Sequence, residues 1–346
     1  GRVWSPAIEA EHLAARERVA LFDETSFAKL EVAGAGALAA LQRLAASDLD
    51  RPVGSIVYTP MLNARGGIEC DVTVTRLAAD RFRIVTGSAF GTHDRGLVSR
   101  RLPQDGSVTL TDVTGGYACL GLFGPRARDV LRAVTDADVS NTAFPYLAAR
   151  EIAVGRAPVF AARVTYVGEP GWELYVPTEY GLEVWDALWG AGRPHGLVAA
   201  GYRAIDSLRL EKGYRYWSAD VTPDDTPYEA GLGFAVRLGK GDFIGREALL
   251  RQQAAGVRRR LSCLTLAESR AVALGGEPVR AGGRVVGRVT SGGYGYSVGL
   301  SIAYAYLPVE RAVPGAPVAV EVLGEWVEGR VAAEPLWDPR GERVRS

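Results

Sequence analysis

Two five-residue stretches, LEVAG at residues 30–34 and LGLFG at residues 120–124, decide how this 346-residue sequence folds. Each is typical of a short apolar strand that ends in glycine and leads into a helix. A second pair of similar strands, residues 81–86 and 171–176, lies at the same offset of about 90 residues. Equal offsets at two places indicate an internal duplication.

Each copy of the duplication follows the pattern strand, helix, strand, strand, helix, with proline and glycine at the joints. The first helix of each copy is expected at residues 35–44 and 125–134. The copies extend over about residues 26–115 and 116–195. This pattern predicts an α+β fold built from two ferredoxin-like units.

The segment after the duplication is predicted to contain helices and a loop. Helical spacing predicts a helix from about Val198 to Lys212, and Gly213 provides its C-terminal stop. A loop rich in Pro and Asp follows at residues 220–227, and residues 242–253 open and form another short helix.

The last part of the chain has a different pattern. Residues 258–260 are three arginines and are interpreted as a linker. From residue 261 onward, short strands alternate with Gly-Gly and Pro-Gly turns, which predicts a small antiparallel β-barrel. The sequence is therefore divided into a first region, residues 1–256, and a C-terminal barrel, residues 257–346.

The composition excludes several classes of protein. Lys plus Arg and Asp plus Glu both number 40, so the net charge is zero and nothing indicates a nucleic-acid partner. Three scattered cysteines and three scattered histidines form no metal-binding spacing, so no metal site is expected. Without a leader or an apolar run of about 18 residues, we expect a cytoplasmic protein with no membrane partner. The chain opens at Gly1 rather than at methionine, which indicates a processed chain or part of a longer protein.

Two carboxylates break the duplication. At the repeat offset, Asp71 faces Ala161, and Glu173 faces Arg83, so each copy carries one acid that the other lacks. Strand alternation places both acids on the faces opposite the apolar residues. They are either part of a site or solvated residues on an exposed sheet face. The turn before Asp71, residues 63–67, either lets backbone approach a ligand or is a plain hairpin turn.

Several segments in order along the chain resemble the aminomethyltransferase (glycine cleavage T-protein) family. These segments are residues 58–63 (YTPMLN), 66–68 (GGI) with Asp71, 168–169 (GE), 171–173 (GWE), 206–211 (DSLRLE), 226–227 (TP), 229–232 (EAGL), 242–245 (DFIG) and 289–292 (VTSG). Together they cover nearly the whole chain and are specific, whereas each alone is weak. The resemblance implies a three-lobed fold with the C-terminal barrel and a reduced folate held between the lobes.

Within that family, the sequence is most similar to the folate-binding half of dimethylglycine and sarcosine dehydrogenases and oxidases. Residues 66–74, 166–169 and 292–296 carry this similarity, and Cys70 stands where the glycine cleavage T-protein has a second Asp. In that branch a flavin domain precedes this region. The sequence contains no strand–GxGxxG–helix unit near its start, so FAD is expected only on a separate subunit or a missing domain.

The resemblance also implies roles for particular residues. Asp71 matches the acid at the reacting folate nitrogens, and Tyr58, Thr73, Glu173 and Tyr175 match positions around the pterin. Two further folate-binding residues, matched less closely, are Tyr166 and Arg209. The cofactor implied is tetrahydrofolate, and the partners are a small substrate derived from an N-methyl amine and a flavoprotein domain or subunit.

These roles agree with the chemistry of the acids. A pterin edge presents adjacent N–H donors that the carboxylate of Glu173 can accept, and Asp71 can take a proton from a folate nitrogen. The sequence predicts formation of 5,10-methylenetetrahydrofolate from dimethylglycine or sarcosine. Two alternatives stay open: a stand-alone aminomethyl- or methyltransferase of the same fold, and a regulatory module without catalysis.

Overall fold

The computed structural model describes residues 5–268 and 270–346. The first four residues of the predicted first region, and Ser269 of the predicted barrel region, lie outside the described residues. The elements are α1 (Pro6–Glu17), β1 (Ala20–Asp23), β2 (Ala28–Ala33), α2 (Ala37–Leu44), β3 (Ile56–Leu62), β4 (Ile68–Ala78), β5 (Arg81–Thr86), α3 (Gly91–Ser99), β6 (Thr109–Asp112), β7 (Tyr117–Phe123), α4 (Ala127–Arg132), β8 (Ala149–Val154), β9 (Ala157–Ala162), β10 (Gly171–Pro177), α5 (Gly181–Gly192), β11 (Val198–Ala200), α6 (Tyr202–Lys212), α7 (Arg246–Ala255), β12 (Arg259–Leu266), β13 (Pro278–Ala281), β14 (Arg284–Gly295), β15 (Leu300–Pro308), β16 (Pro317–Val322), β17 (Glu325–Val331) and α8 (Glu342–Arg345).

The two copies form two separate sheets. The first has the order β3-β4-β5-β2-β6, and the second has the order β11-β1-β7-β10-β9-β8. On the outer face of the first sheet, apolar residues of β2, β4 and β5 pack against α2 and α3. On the outer face of the second, residues of β7 and β10 pack against α4 and α5. Strand alternation therefore gives each sheet one face for its helices and one free for other contacts.

The inner faces of the two sheets pack against each other. Ile56 and Val85 of the first sheet share a buried cluster with Cys119, Ala162 and Tyr175 of the second. The space between the two sheets is therefore closed to bulk solvent over much of its area, and any polar group in it is desolvated.

The duplication is present with the predicted offset, and the α+β class is confirmed. Each copy contains three strands between its two helices where the pattern predicted two, and the first copy ends in a further strand, β6. Gly34 and Gly124 end the matched strands with φ of 126° and 132°. A β-carbon would lie 2.2 Å from the Ser107 carbonyl oxygen at position 34, and 2.5 Å from that of Arg18 at position 124. Both backbone conformation and space therefore require glycine at both positions.

Two boundaries differ from the sequence prediction. Val198–Ala200 is strand β11 rather than the start of a helix, because these residues pair in parallel with β1 at the edge of the second sheet. Helix α6 begins at Tyr202 and ends at Lys212, and Gly213 caps it with φ of 75°. Arg259 and Arg260 belong to β12 and are not part of a linker, since they pair with Pro308 and Leu307 of β15. Tertiary pairing outweighed the local pattern at both places.

The C-terminal part is a closed barrel with the strand order β12-β15-β14-β13-β16-β17, as predicted. Its interior is filled by small and branched apolar side chains, among them Leu264, Val279, Ala303 and Val320. In the described part of the chain, no helix is long and apolar enough to cross a membrane.

A buried ion network ties the first helix to the rest of the molecule. Arg16 of α1 is 2% exposed, and its guanidinium lies 3.0 Å from carboxylate oxygens of both Glu169 and Glu211. It also donates hydrogen bonds to the carbonyl oxygens of Val167 and Leu208. Because both carboxylates are fully buried, Arg16 compensates two charges that water cannot reach.

Candidate functional site

Asp71 lies on the inner face of the first sheet. Its neighbours on β4, Cys70 and Val72, point into the helical core, so strand alternation turns Asp71 towards the second sheet. The phenolic oxygen of Tyr58 donates a hydrogen bond of 2.7 Å to Asp71 Oδ2. Burial raises the pKa of Asp71 to about 6, although the bond from Tyr58 opposes the rise. At this pKa a carboxyl group can both accept and release a proton near neutral pH.

Glu173 lies on the inner face of the second sheet and is 8% exposed. Tyr175, two residues along β10, donates its phenolic hydrogen to Glu173 Oε2. Burial raises the pKa of Glu173, while this hydrogen bond and the positive charge of Lys29 lower it. Glu173 is thus a desolvated carboxyl group with further acceptor capacity.

The duplication shows that Glu173 lacks the charged partner that the equivalent pair in the first copy has. In the first copy, Glu31 stands opposite Arg83 in the β2–β5 ladder, and their side chains form an ion pair of 2.7 Å. At the equivalent position of the second copy, Gly121 stands opposite Glu173 in the β7–β10 ladder. Glu31 of the first copy is therefore neutralised by the residue opposite it, whereas Glu173 of the second copy faces a glycine and has no charged residue opposite it.

A row of side chains across the first sheet links the two acids. The β ladders place Tyr58 opposite Thr73, Thr73 opposite Val85, and Val85 opposite Lys29. All four share the inner face, because directly paired residues project to the same side. Three strand spacings separate the ends of the row, which is roughly 14 Å. Tyr58 stands at the end near Asp71, and Lys29 lies near Glu173.

Tyr166 and Arg209 are held by protein groups. Tyr166 donates a hydrogen bond of 2.6 Å to the Arg215 carbonyl oxygen and stacks on Tyr214. Arg209 lies 2.7 Å from the carboxylate of Asp220 and 2.8 Å from that of Asp206. The charges of Asp94 and Asp220 add to the rise in the pKa of Asp71 that burial causes.

The turn at residues 63–67 packs against protein. A β-carbon at Gly67 would lie 1.8 Å from the Pro223 carbonyl oxygen, so glycine is required by the neighbouring loop. Asn63 Oδ1 accepts hydrogen bonds from the backbone N–H groups of Arg65 and Gly67. Of the two interpretations of this turn, the plain hairpin turn accounts for its glycines.

Two family models together match most of the chain. The family model described as the GCVT N-terminal domain matches residues 1–240. The model of the glycine cleavage T-protein C-terminal barrel domain matches residues 259–338. The chain belongs to the aminomethyltransferase (glycine cleavage T-protein) family.

Relatives and solved structures of the aminomethyltransferase family agree with this assignment. Mouse mitochondrial sarcosine dehydrogenase is 40% identical over 98% of this chain, and human mitochondrial dimethylglycine dehydrogenase is 36% identical over 96%. The chain spans 39% of the length of each. The crystal structure of aminomethyltransferase T of the glycine cleavage system from Bartonella henselae matches with a TM-score of 0.86 at 29% identity, covering 96% of this chain and 90% of that chain. The predicted family and its dehydrogenase branch are confirmed.

Sequence reasoning did not identify three charged residues between the sheets of this aminomethyltransferase fold: Glu24, Lys29 and Arg83. Arg83 was recognised only as the counterpart of Glu173. A signal was available in the stretches that revealed the duplication, since Glu31 aligns with Gly121. A charged residue replaced by glycine within matched strands indicates that a side chain from elsewhere fills the space.

Proposed function

We propose that the chain binds tetrahydrofolate between its two sheets and transfers a one-carbon unit to it. The observation that carries this proposal is the pair of desolvated carboxyl groups, Asp71 and Glu173, at opposite ends of the row from Tyr58 to Lys29. Such a row suits a flat, bicyclic ligand with polar groups at both ends. Buried polar groups on the inner faces orient such a ligand, and the rings of Tyr58 and Tyr175 provide contact area for it.

Glu173 anchors the pterin in this proposal. Its carboxylate accepts hydrogen bonds from the ring N–H and the exocyclic amine, which lie side by side on the pterin edge. Tyr175 fixes the orientation of the carboxylate through the bond to Oε2. A fixed acceptor of this kind binds more tightly than a mobile one because less freedom is lost on binding.

Asp71 is the base that accepts the proton of the attacking folate nitrogen in this proposal. A folate nitrogen attacks the methylene carbon of an iminium, the second nitrogen then displaces the amine, and the amine leaves as an ammonium with the two protons of the folate nitrogens. The first of these protons is lost by the attacking nitrogen. Asp71 accepts that proton and stabilises the positive charge that develops on the attacking nitrogen. The hydrogen bond from Tyr58 holds the carboxylate in place for this task.

The proposed donor is the methylene iminium formed when a flavoprotein oxidises an N-methylated glycine such as sarcosine or dimethylglycine. The similarity to two dehydrogenases named for these amines supports this choice. A stand-alone aminomethyltransferase is the second candidate, and the match to aminomethyltransferase T over 90% of that chain favours it. The two candidates use the same site and differ only in what delivers the carbon.

Calorimetric titration of the chain with tetrahydrofolate tests the proposed binding, and one molecule per chain is expected. Adding an amine-oxidising flavoprotein and sarcosine then tests the donor, with methylenetetrahydrofolate as the product measured. A chain that binds no tetrahydrofolate at near-millimolar concentration would falsify the proposed function.

Replacing Glu173 by Gln should weaken tetrahydrofolate binding. An amide offers one acceptor oxygen to two N–H donors and carries no charge, so we expect a loss of about 1.5–3 kcal/mol in binding free energy. Titration calorimetry measures the change. Glu151→Gln is the matched control, because Glu151 lies on β8 of the same sheet and is exposed. If both variants bind tetrahydrofolate as tightly as the unaltered chain, Glu173 does not contact the pterin.

The transfer step should depend on pH through Asp71. A base must be ionised to accept a proton, and the pKa of Asp71 lies at about 6. We therefore expect the rate of methylenetetrahydrofolate formation to rise as pH increases through about 6 and then to level off. Single-turnover rates between pH 5 and about 8 measure this. A rate that stays flat across pH 6 while Asp71→Asn is inactive would contradict the assignment of Asp71 as the base.

A further inference from the structure

Glu24 lies close to Glu173 on the inner face of the second sheet. A β-carbon at position 121 would lie 2.6 Å from Glu24 Oε2, so the carboxyl group of Glu24 occupies the space that Gly121 leaves open. Gly121 stands directly opposite Glu173, and directly paired residues project to the same side of a sheet. The two carboxyl groups therefore share one small region between the sheets.

This region contains polar atoms without partners. Glu24 is 1% exposed, and its Oε2 has no hydrogen-bond partner in the part of the chain that the structure describes. The same holds for Nη1 of Arg83, which is 4% exposed. Buried polar atoms are nearly always hydrogen-bonded in folded proteins. A buried carboxyl oxygen and a buried guanidinium nitrogen without partners are groups that a polar ligand between the sheets would satisfy.

A count of charges indicates the state of Glu24. Arg83 neutralises Glu31, and Glu24 and Glu173 share the charge of Lys29, so among the described residues Glu24 forms no ion pair of its own. Burial raises the pKa of Glu24 well above its usual range, and the charges of Glu173 and Asp23 add to the rise, while Lys29 opposes it. The titratable groups around Glu24 are Asp23, Lys29, Cys119, Glu173, Tyr175 and Tyr202. A buried carboxyl group without a counterion is held in its neutral form.

We propose that Glu24 and Glu173 act as one carboxyl pair that holds a single proton, and that Glu24 is a second pterin-binding residue. The pterin edge presents two N–H donors followed by a carbonyl oxygen. The carboxylate of Glu173 accepts from the two donors, and the acid O–H of Glu24 donates to the carbonyl oxygen. This assignment rests on the proposed function, since it names a further residue of the same site.

Two substitutions at Glu24 separate this role from a structural one. Glu24→Leu removes both the shared proton and the donor to the carbonyl oxygen, so tetrahydrofolate should bind at least about tenfold more weakly. A tetrahydrofolate analogue that lacks the carbonyl oxygen should bind the unaltered chain and Glu24→Leu with affinities within about threefold of each other. Glu24→Gln keeps a neutral N–H donor, so at pH 7 its affinity for tetrahydrofolate should stay within about threefold of the unaltered chain. Titration calorimetry with both ligands gives all of these values, and Glu151→Gln again serves as the control.

The outcomes distinguish this inference from the proposed function. If Glu24→Leu weakens both ligands equally, Glu24 is structural and the inference is wrong. If Glu24→Gln loses tenfold, Glu24 binds as a carboxylate and the shared proton is wrong; this variant also decides the matter if Glu24→Leu does not fold. Normal binding by both variants, with weakened binding by Glu173→Gln, overturns the inference alone. Failure of the unaltered chain to bind tetrahydrofolate overturns the proposed function itself.

Discussion

Replacing Asp71 by Asn should lower the ratio of methylenetetrahydrofolate to free formaldehyde at least about 100-fold, the lower end for loss of a general base. The substitution keeps the size of the side chain and one acceptor for the Tyr58 hydroxyl, but it removes the group that takes the proton. Tetrahydrofolate should still bind, because in the proposed site Glu173 holds the pterin at the other end of the row. Amine oxidation on the flavoprotein should continue, and its iminium should hydrolyse to formaldehyde.

The measurement needs the flavoprotein partner, sarcosine and tetrahydrofolate in one reaction, with both one-carbon products quantified. Asp80→Asn is a suitable control, because Asp80 is an exposed carboxylate just beyond β4. The control should leave the product ratio unchanged. An unchanged ratio in Asp71→Asn, together with normal folate affinity, would mean that Asp71 is a bystander.

Replacing Arg16 by Met should destabilise the fold by about 3–5 kcal/mol, the cost of breaking a buried ion pair from one side. Methionine fills most of the space but leaves Glu169 and Glu211 buried without this cation. Arg343 and His12 still contact these acids, which keeps the expected loss within that range. The free energy of unfolding, obtained by urea titration at pH 7, measures the effect.

Two further variants test whether uncompensated buried carboxylates cause the loss of stability in Arg16→Met. Arg18→Met, at an exposed position just after the end of α1, should change the free energy of unfolding by less than about 0.5 kcal/mol. Adding Glu211→Gln to Arg16→Met should recover part of the loss, because one uncompensated carboxylate disappears. A loss below about 1 kcal/mol for Arg16→Met would show that the network contributes little to stability.

The sequence predicted those parts of the structure that recur or follow a local period. The offset of about 90 residues located both sheets, and the mismatches within it pointed to Asp71 and Glu173. Both acids lie on inner faces, away from the helical cores, as strand alternation requires. The barrel followed from short strands and glycine turns.

Other features depend on contacts between residues far apart in the sequence, which local patterns do not contain. The residues of β11 carry no strand signal strong enough to exclude a helix, and their pairing with β1 decides their conformation. Arg259 is a strand residue because its backbone pairs with Pro308 of β15, which lies far along the chain. Glu24 precedes the first copy and has no counterpart in the repeat comparison, so only the packing of the two sheets reveals its position.

The ties of Asp220 across the molecule have a consequence for protein engineering. Asp220 binds Arg209 on one side, and it accepts hydrogen bonds from Thr290 and Ser291 of the barrel on the other. If this unit were grafted onto a different amine-oxidising enzyme, Gly256 at the end of α7 would be the obvious place to divide the chain. A transplant cut there would carry Asp71 and Glu173 but leave Asp220 without its barrel donors, so the transferable block has to include the barrel.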